Sequence, residues 1–342
     1  MQLITFFKKT FIKIAFFCLH LFLLLCFLTG ALALHYSERP SGFRSLLAVI
    51  FFAIAMASWW AFFKRRRLSG LILSLLLLSG ISLYWSTIAP SNDRIWRDDH
   101  ALVPYAEFLD DDTVRIGNFR NFDYQSLDDY TIRYKDRVVK LSHLISVDFF
   151  VSYWGIGPLD HSPVAHTFVS FNFDNAPPVS ISIEARFEEH ENYDPLASMF
   201  KQFELIYVVG SEEDIVKVRT NIRHEDVFRY PVNISADASR RLFLVYLGRI
   251  NELYEKPEFY HLLSNNCTIN VFRYANKIGR TGGLDIRLIL NGYSDRYLYR
   301  SGSLDTQSHS FREFRALAHL NDLTQNAPED TDFSALIRSR LP

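Results

Sequence analysis

Three uncharged, strongly apolar runs lie near the start of the chain, at about residues 14–34, 46–63 and 68–88. A helix needs about 20 apolar residues to cross a bilayer, so this pattern predicts three transmembrane helices in a membrane region at residues 1–90. The first run also has features of a cleaved signal peptide, because lysines precede it and residues 31–33 (Ala-Leu-Ala) resemble a cleavage site. Its length and the two runs that follow favour a membrane span.

Two later segments alternate apolar and polar residues in the manner of β-strands. Residues 166–173 and 179–187 are separated by a turn rich in Asp, Asn and Pro, which is typical of a β-hairpin. The start of one hairpin strand lies beside the end of the other, so we expect His166 to lie near Glu184 and Arg186. A purely local argument thus brings three ionisable side chains together.

The rest of residues 91–342 gives a mixture of predicted strands and helices. The expected elements are a juxtamembrane linker at 91–101, strands at 113–116, 130–134, 145–154 and 204–209, a strand-like piece at 215–222, a helix at 238–255 and a helix starting near Cys267. We expect the tail after Tyr299 to be polar and loosely ordered. The mixture predicts an α+β domain that follows the membrane region.

The charges divide at the same boundary. Residues 1–90 hold nine of the 37 Lys and Arg and one of the 38 Asp and Glu, which leaves 28 basic and 37 acidic residues in the remainder. An acidic domain argues against nucleic-acid binding, which needs a basic face. Basic residues precede the first apolar run and form the loop Lys64–Arg67 between the second and third. The positive-inside rule therefore predicts that everything after about Ala89 is extracytoplasmic, and periplasmic in a Gram-negative cell.

Cys267 is the one cysteine outside the membrane region, because Cys18 and Cys26 lie in the first apolar run. A run of helix N-cap residue types precedes it, so we expect Cys267 in the first turn of a helix. Unpaired N–H groups and the helix dipole at that position favour a thiolate, which makes Cys267 a candidate nucleophile. The alternative is a small, buried core residue.

A thiol acyl-transfer site also needs an imidazole base and a polar group that orients it. If the Cys267 helix packs on the hairpin, the thiol meets His166, and Glu184 is the candidate orienting group. His161 ranks below His166, because a loop does not fix its position.

Each of these residues also has a non-catalytic interpretation. His166 could be an edge-strand histidine, and Glu184 with Arg186 could be a surface ion pair. A zinc site made by Cys267, His166 and Glu184 fits by ligand type, but the spacing matches no zinc motif. The sequence has no Gly-rich phosphate loop and no paired-cysteine pattern, so we expect no metal and no cofactor.

Six short runs, taken in chain order, resemble the bacterial DUF4105 family, which is also called the Lnb N-terminal periplasmic domain. The runs are HTFVSF at 166–171, SIEAR at 182–186, FELIYVV at 203–209, RTN at 219–221, NNCT at 265–268 and GYSD at 292–295. The resemblance covers roughly residues 141–298. It implies a papain-like or NlpC/P60-like α+β thiol-enzyme fold in which the histidine precedes the cysteine along the chain.

The resemblance also implies roles for individual residues. Cys267 would be the nucleophile, His166 the base and Glu184 a helper. The residues that fall in family motifs as candidates for substrate binding or for an oxyanion hole are Arg186, Tyr207 and Asn266. The characterised branch of the family is a lipoprotein N-acyltransferase of the cell envelope. Its membrane spans follow the periplasmic domain, whereas here the spans precede it.

Together these inferences predict a multi-pass protein of the bacterial inner (cytoplasmic) membrane with its C-terminal domain in the periplasm. The predicted activity is that of a thiol acyltransferase similar to the lipoprotein N-acyltransferases, in which Cys267 carries the acyl chain as a thioester. Its substrates would be membrane phospholipid or lipoprotein. The alternative functions are a cysteine peptidase or amidase that acts on envelope peptides, and a non-catalytic envelope scaffold.

Overall fold

The computed structural model of the chain describes residues 2–37, 42–64, 67–154, 162–279, 285, 287, 290–328 and 330–341. His161, the second-ranked candidate base, lies outside the described residues. The chain divides into two compact units, which are Met1–Pro90 with Asp194–Phe203, and Ser91–Tyr193 with Glu204–Pro342. The first unit, called the membrane unit below, therefore takes in a segment that lies within the second domain by sequence position.

Three long helices form most of the membrane unit. They are α1 (Gln2–Tyr36), α2 (Gly42–Phe63) and α3 (Arg67–Thr87). Each contains a stretch that is long and apolar enough to cross a membrane, so the prediction of three long apolar helices is confirmed. Helices α2 and α3 approach closely at Gly70, where a Cβ atom would lie 2.7 Å from the carbonyl oxygen of Ser58. Small residues of this kind allow membrane helices to pack at short range.

An eight-stranded sheet is the centre of the second unit. Its strands are β1 (Tyr105–Phe108), β2 (Thr113–Arg120), β5 (Tyr134–Lys140), β6 (Leu144–Tyr153), β7 (His166–Phe173), β8 (Val179–Arg186), β9 (Glu204–Gly210) and β10 (Asp226–Pro231), while β3 (Asp123–Tyr124) pairs with β4 (Tyr130–Thr131). The strand order is β1-β2-β9-β8-β7-β6-β10, and β5 pairs with β2. Strands β7 and β8 are antiparallel neighbours in which Phe168 pairs with Ser182, so the predicted hairpin is confirmed.

Helices cover both faces of this sheet. Within the described residues, the helices of the second unit are α4 (Glu212–Ile215), α5 (Ala236–Glu255), α6 (Cys267–Lys277), α7 (Ser294–Arg300), α8 (Phe311–Ala318), α9 (Asn321–Thr324) and α10 (Phe333–Leu336). The Phe171 ring of β7 lies 4.7 Å from the Phe243 ring of α5, and the Tyr207 hydroxyl of β9 bonds the Tyr274 hydroxyl of α6. Strand residues alternate between faces, so Phe168 points the other way, into a buried cluster that includes Ile215, Val227, Leu320, Phe333 and Ile337.

The prediction of a strand-like segment at residues 215–222 is wrong. The short helix α4 ends at Ile215, and a π-helical turn occupies Val218–Ile222. The Ser211 hydroxyl accepts the backbone N–H of Asp214, and the Asp214 carboxylate accepts hydrogen bonds from Nη2 and Nε of Arg120, the shortest at 2.8 and 2.9 Å. This cap and this buried ion pair outweigh the β-propensity of the valines.

The expectation of a loosely ordered tail is also wrong. Phe314, Leu320 and Ile337 are almost fully buried, and a capping box of Ser310 and Glu313 starts α8. These apolar residues are too far apart along the chain to give a periodic signal. The tail is ordered because each of these side chains packs separately into the core of the second unit.

Candidate functional site

Cys267 is the first residue of α6, as the sequence predicts. The Asn266 side chain caps this helix by accepting the backbone N–H of Ile269 at 2.8 Å. The thiol is buried, and its Sγ lies 3.6 Å from the Thr268 hydroxyl and 3.8 Å from Nδ2 of Asn291. The sulfur thus lies in the first turn of the helix, beside a hydroxyl and an amide donor.

His166 is the first residue of β7, and its ring stacks on Phe168 with 5.8 Å between centroids. Its Nε2 lies 2.7 Å from the Ser182 hydroxyl, which in turn donates to Oε1 of Glu184 at 2.6 Å. A hydroxyl has one hydrogen, so Ser182 must accept from His166. This network assigns the imidazole proton to Nε2 and leaves the lone pair on Nδ1, which is the nitrogen that can act as a base.

Glu184 accepts hydrogen bonds from three elements. Besides Ser182, these come from Nη2 of Arg219 at 2.8 Å and from Nε2 of His100 at 3.4 Å. The backbone N–H of Phe187 donates to Nδ1 of His100, so the His100 proton is on Nε2. Burial alone would raise the pKa of Glu184, but the Arg219 guanidinium and the hydrogen bond from His100 hold that pKa well below its usual range. Glu184 is therefore ionised, and its hydrogen bonds hold the carboxylate in one position.

The predicted proximity of His166 and Glu184 is confirmed, with 3.8 Å between Nε2 and Oε1. Burial, followed by the positive charge of Arg219, lowers the pKa of His166 to about 3. The carboxylate acts in the opposite direction but does not cancel these effects. The imidazole is therefore neutral at physiological pH.

The start of β7 and the start of α6 are joined on both sides of His166. The hydroxyls of Thr167 and Thr268 lie 2.9 Å apart. The backbone N–H of Ala165 donates to Oδ1 of Asn291, whose Nδ2 donates to Cys267 Sγ. One asparagine thus links the residue before the candidate base to the candidate nucleophile.

The thiol and the imidazole themselves are not hydrogen-bonded to each other within the described part of the chain. Thr167 contacts α6, so strand alternation turns His166 toward the opposite face of the sheet, where it meets Ser182. Tyr260 is within electrostatic range of both Cys267 and Glu184: burial first, and then the nearby thiol, raise its pKa well above the usual range. The two parts of the predicted site are therefore neighbours, but the structure shows the imidazole bonded to Ser182.

The other three sequence candidates have structural partners. The Asn266 side chain accepts the Ile269 N–H with its oxygen and donates its Nδ2 hydrogen to the Leu262 carbonyl. Tyr207 is buried, and its hydroxyl meets that of Tyr274 beneath α6. Arg186 donates to the backbone carbonyls of His100 and Ala101 and to the Asn92 side chain. These contacts position α6 and the segment that carries His100.

Four residues of the site had no assigned role in the sequence reasoning. Ser182 and Arg219 lie in motif runs that carry the family resemblance, so a signal for them existed. His100 belongs to the supposed linker, 84 positions before Glu184, and Asn291 follows Cys267 by 24 positions. No local pattern connects either one to its partner.

A polar cleft of about 930 Å³ opens beside Glu184 and His100. Tyr193 forms part of its wall and packs against Trp154 and Tyr260, with centroid distances of 5.6 and 6.5 Å. Arg223 and several acidic side chains complete much of the lining. In the residues that the structure describes, no group of three or more His, Cys, Asp or Glu side chains is placed to hold a metal ion.

A family model described as the Lnb N-terminal periplasmic domain matches residues 130–292. The matched region contains His166, Glu184, Cys267 and Asn291, and it excludes the three apolar helices and the last 50 residues. No curated protein and no solved structure matches the chain.

Proposed function

Residues 130–292 belong to the Lnb N-terminal periplasmic domain family, and from this premise we propose that the protein is a membrane-anchored periplasmic thiol acyltransferase. The proposal includes a papain-like arrangement, in which a helix that begins with the nucleophile packs on the strand that begins with the base. One observation carries the proposal. Asn291 and the Thr167–Thr268 contact hold the buried thiol of Cys267 beside the start of the His166 strand.

The first half-reaction would load an acyl chain onto Cys267. Nδ1 of His166 takes the thiol proton, and the thiolate attacks the ester carbonyl carbon of a phospholipid or a diacylglyceryl lipoprotein. The ester C–O bond breaks, the alcohol leaves with the proton from His166, and a thioester remains. Catalytic hydrogen bonds often form only when substrate is bound, so the proposal includes a shift that brings the thiol within reach of Nδ1 while Nε2 stays bonded to Ser182.

The second half-reaction would transfer the chain to an amine. The N-terminal amine of a lipoprotein attacks the thioester carbonyl, His166 accepts the amine proton, and the amide forms as the thiolate leaves. In both halves the negative charge that develops on the carbonyl oxygen needs donors. We assign this role to Nδ2 of Asn291, which lies 3.8 Å from the sulfur, and to the N–H groups of the first turn of α6. Ser182 and Glu184 keep the Nε2 proton in place, so that Nδ1 remains the base.

Mass spectrometry of lipoprotein N-termini tests this proposal. Cells that produce the full-length protein should carry one additional N-linked acyl chain on their lipoproteins. Cys267→Ala should abolish it, and Cys18→Ser, a change at an exposed cysteine of the first helix, should not. Incubation with acyl-labelled phospholipid should also leave a hydroxylamine-sensitive label on the Cys267 peptide. Unchanged lipoproteins in the Cys267→Ala cells would contradict the proposal and favour a scaffold.

The polar cleft beside Glu184 favours a second candidate function, that of an amidase or peptidase. Its charged lining suits a peptide better than an alkyl chain. The same nucleophile and base would then form a peptidyl thioester that water hydrolyses. An envelope peptide trapped on Cys267, together with lipoproteins that carry no additional chain, would support this function over transfer.

A further inference from the structure

An apolar groove runs along the membrane unit between α1 and α3. Its volume is about 760 Å³. The lining residues are Phe22, Leu25, Cys26, Thr29, Gly30 and Ala33 on α1, and Leu78, Ile81, Ser82 and Trp85 on α3, with Met199 and Phe200 at one end. All of them belong to the membrane unit, so the groove lies within one compact body.

The groove has the length of one membrane leaflet. From Phe22 to Ala33 there are eleven helical steps of about 1.5 Å, or about 16 Å in all. The hydrocarbon core of a bilayer is about 30 Å thick, so one leaflet contributes about 15 Å. Phe22 lies at the middle of the apolar stretch Lys9–Tyr36. The groove therefore extends from the bilayer centre to the surface from which the chain enters the second domain.

The segment Asp194–Phe203 forms the surface end of the groove. The Lys201 ammonium donates to the carbonyls of Trp85 and Ile88 at 2.9 and 3.0 Å, and it lies 5.2 Å from the Trp85 ring centroid. Phe200 stacks on Tyr36 with 6.0 Å between centroids. Trp, Tyr and Lys are the residues that anchor proteins at the membrane–water interface. This end thus lies at the depth of the lipid headgroups.

An alkyl chain is the occupant that this groove favours. The lining side chains are mostly apolar, and the length of the groove matches one leaflet. Extended alkyl chains are also the component that surrounds these helices in a bilayer.

We propose that this groove binds one acyl chain of a glycerophospholipid from the leaflet next to the second domain. The inference deepens the proposed function, on which it rests for the role of that lipid as acyl donor. The segment at its surface end joins β8, which carries Ser182 and Glu184, to β9. The chain therefore connects the bound lipid to the strand that orients the candidate base.

Photocrosslinking in nanodiscs tests the proposal on the full-length protein. The probe is phosphatidylglycerol with a diazirine on one acyl chain, and labelled peptides are identified by mass spectrometry. Label should concentrate on the α1 and α3 residues of the groove. Thr29→Trp should lower it at least about tenfold, the change expected when about two methylene groups lose burial.

Leu28→Trp is the matched control, because Leu28 is the exposed neighbour of Thr29 and does not line the groove. It should label like the wild type. Label spread evenly over the lipid-facing surfaces of all three helices, or equal labelling of the two Trp variants, would overturn the proposal.

A Cys267→Ala protein separates this inference from the proposed function. It should retain full groove labelling, because binding needs no thiol. Groove labelling without any lipid-derived thioester on the wild type would mean that the binding site stands and the acyl transfer fails. A thioester that forms equally in wild type and Thr29→Trp would mean that the acyl transfer stands and the groove is not the donor site.

Discussion

At the scale of single residues, the site depends on which hydrogen bonds the Ser182 hydroxyl makes. Its single proton goes to Glu184, so it can only accept from His166. The Glu184 carboxylate therefore determines the tautomer of His166 through this hydroxyl, although its Oε1 lies 3.8 Å from Nε2 of the imidazole. Arg219 and His100 in turn keep the carboxylate in place.

Ser182→Ala should slow thioester formation by about 100-fold, the lower range of what a positioned base contributes. The Nε2 proton loses its acceptor, so the tautomer with Nδ1 free is no longer favoured. Single-turnover labelling of Cys267 by acyl-labelled phospholipid measures the rate. Ser180→Ala is the control, because Ser180 is a buried serine of the same strand whose hydroxyl bonds Ser170. Equal losses in both variants would contradict the role given to Ser182.

His166 should also make the protein sensitive to acid. In the unfolded chain a histidine binds its proton near pH 6.5, whereas in the folded protein its pKa is about 3 because of burial and Arg219. Between these values the unfolded state binds one proton more. The contribution of His166 to the free energy of unfolding is therefore fully present above about pH 6.5. It falls as the pH drops below that value, by up to about 1.4 kcal/mol per pH unit.

Urea unfolding of the full-length protein in micelles, followed by tryptophan fluorescence from pH 7 to pH 4, measures this dependence. His166→Gln should reduce the slope of this dependence by the contribution of one proton, and the variant of an exposed histidine, His190→Gln, should leave the slope unchanged. A His166→Gln protein that loses stability toward acid as steeply as the wild type would refute the assignment.

At the scale of elements, the site is assembled where a strand and a helix both begin. Periodicity and capping predict both starts, because alternation defines the hairpin and Asn266 marks the beginning of α6. The sequence does not predict Asn291 or His100, which come from segments without a periodic pattern. The backbone next to Asn291 is tightly packed, since a Cβ atom at Gly292 would lie 1.8 Å from the Ser162 carbonyl oxygen. Such contacts depend on tertiary packing, which a local pattern does not encode.

Asn291→Asp should preserve the fold and reduce the reactivity of the thiol. The remaining oxygen still accepts the Ala165 N–H, but the donor to Cys267 Sγ becomes a carboxylate, which disfavours a thiolate. The second-order rate of alkylation by iodoacetamide at pH 8 should fall about tenfold or more, in line with a loss of about 1.4 kcal/mol of charge stabilisation. Asn276→Asp is the control, because Asn276 lies at the C-terminal end of α6, away from Cys267 at its start. Unchanged alkylation of Asn291→Asp would exclude Asn291 as the sulfur's donor.

At the scale of the whole molecule, the chain divides its charges and its apolar residues between two units. The three apolar helices and the strands of the hairpin are predictable, because each repeats one residue class at a fixed period. The segment Asp194–Phe203 is not, because its few apolar residues, Leu196, Met199 and Phe200, form no run. It joins the membrane unit through contacts to Tyr36 and Trp85 that only the folded chain reveals.

The charge asymmetry predicts a topology, with the second unit outside the cytoplasm. The loop at Lys64 carries four consecutive basic residues, and such loops remain on the cytoplasmic side. In a background in which Cys18, Cys26 and Cys267 are all replaced by Ala, a membrane-impermeant maleimide should label Asp128→Cys, at an exposed position of the second unit, in cells whose outer membrane alone is permeable. Lys64→Cys should be labelled only after the inner membrane is opened. The opposite pattern would place Cys267 in the cytoplasm, where periplasmic lipoproteins could not reach it, and acyl transfer to them would be excluded.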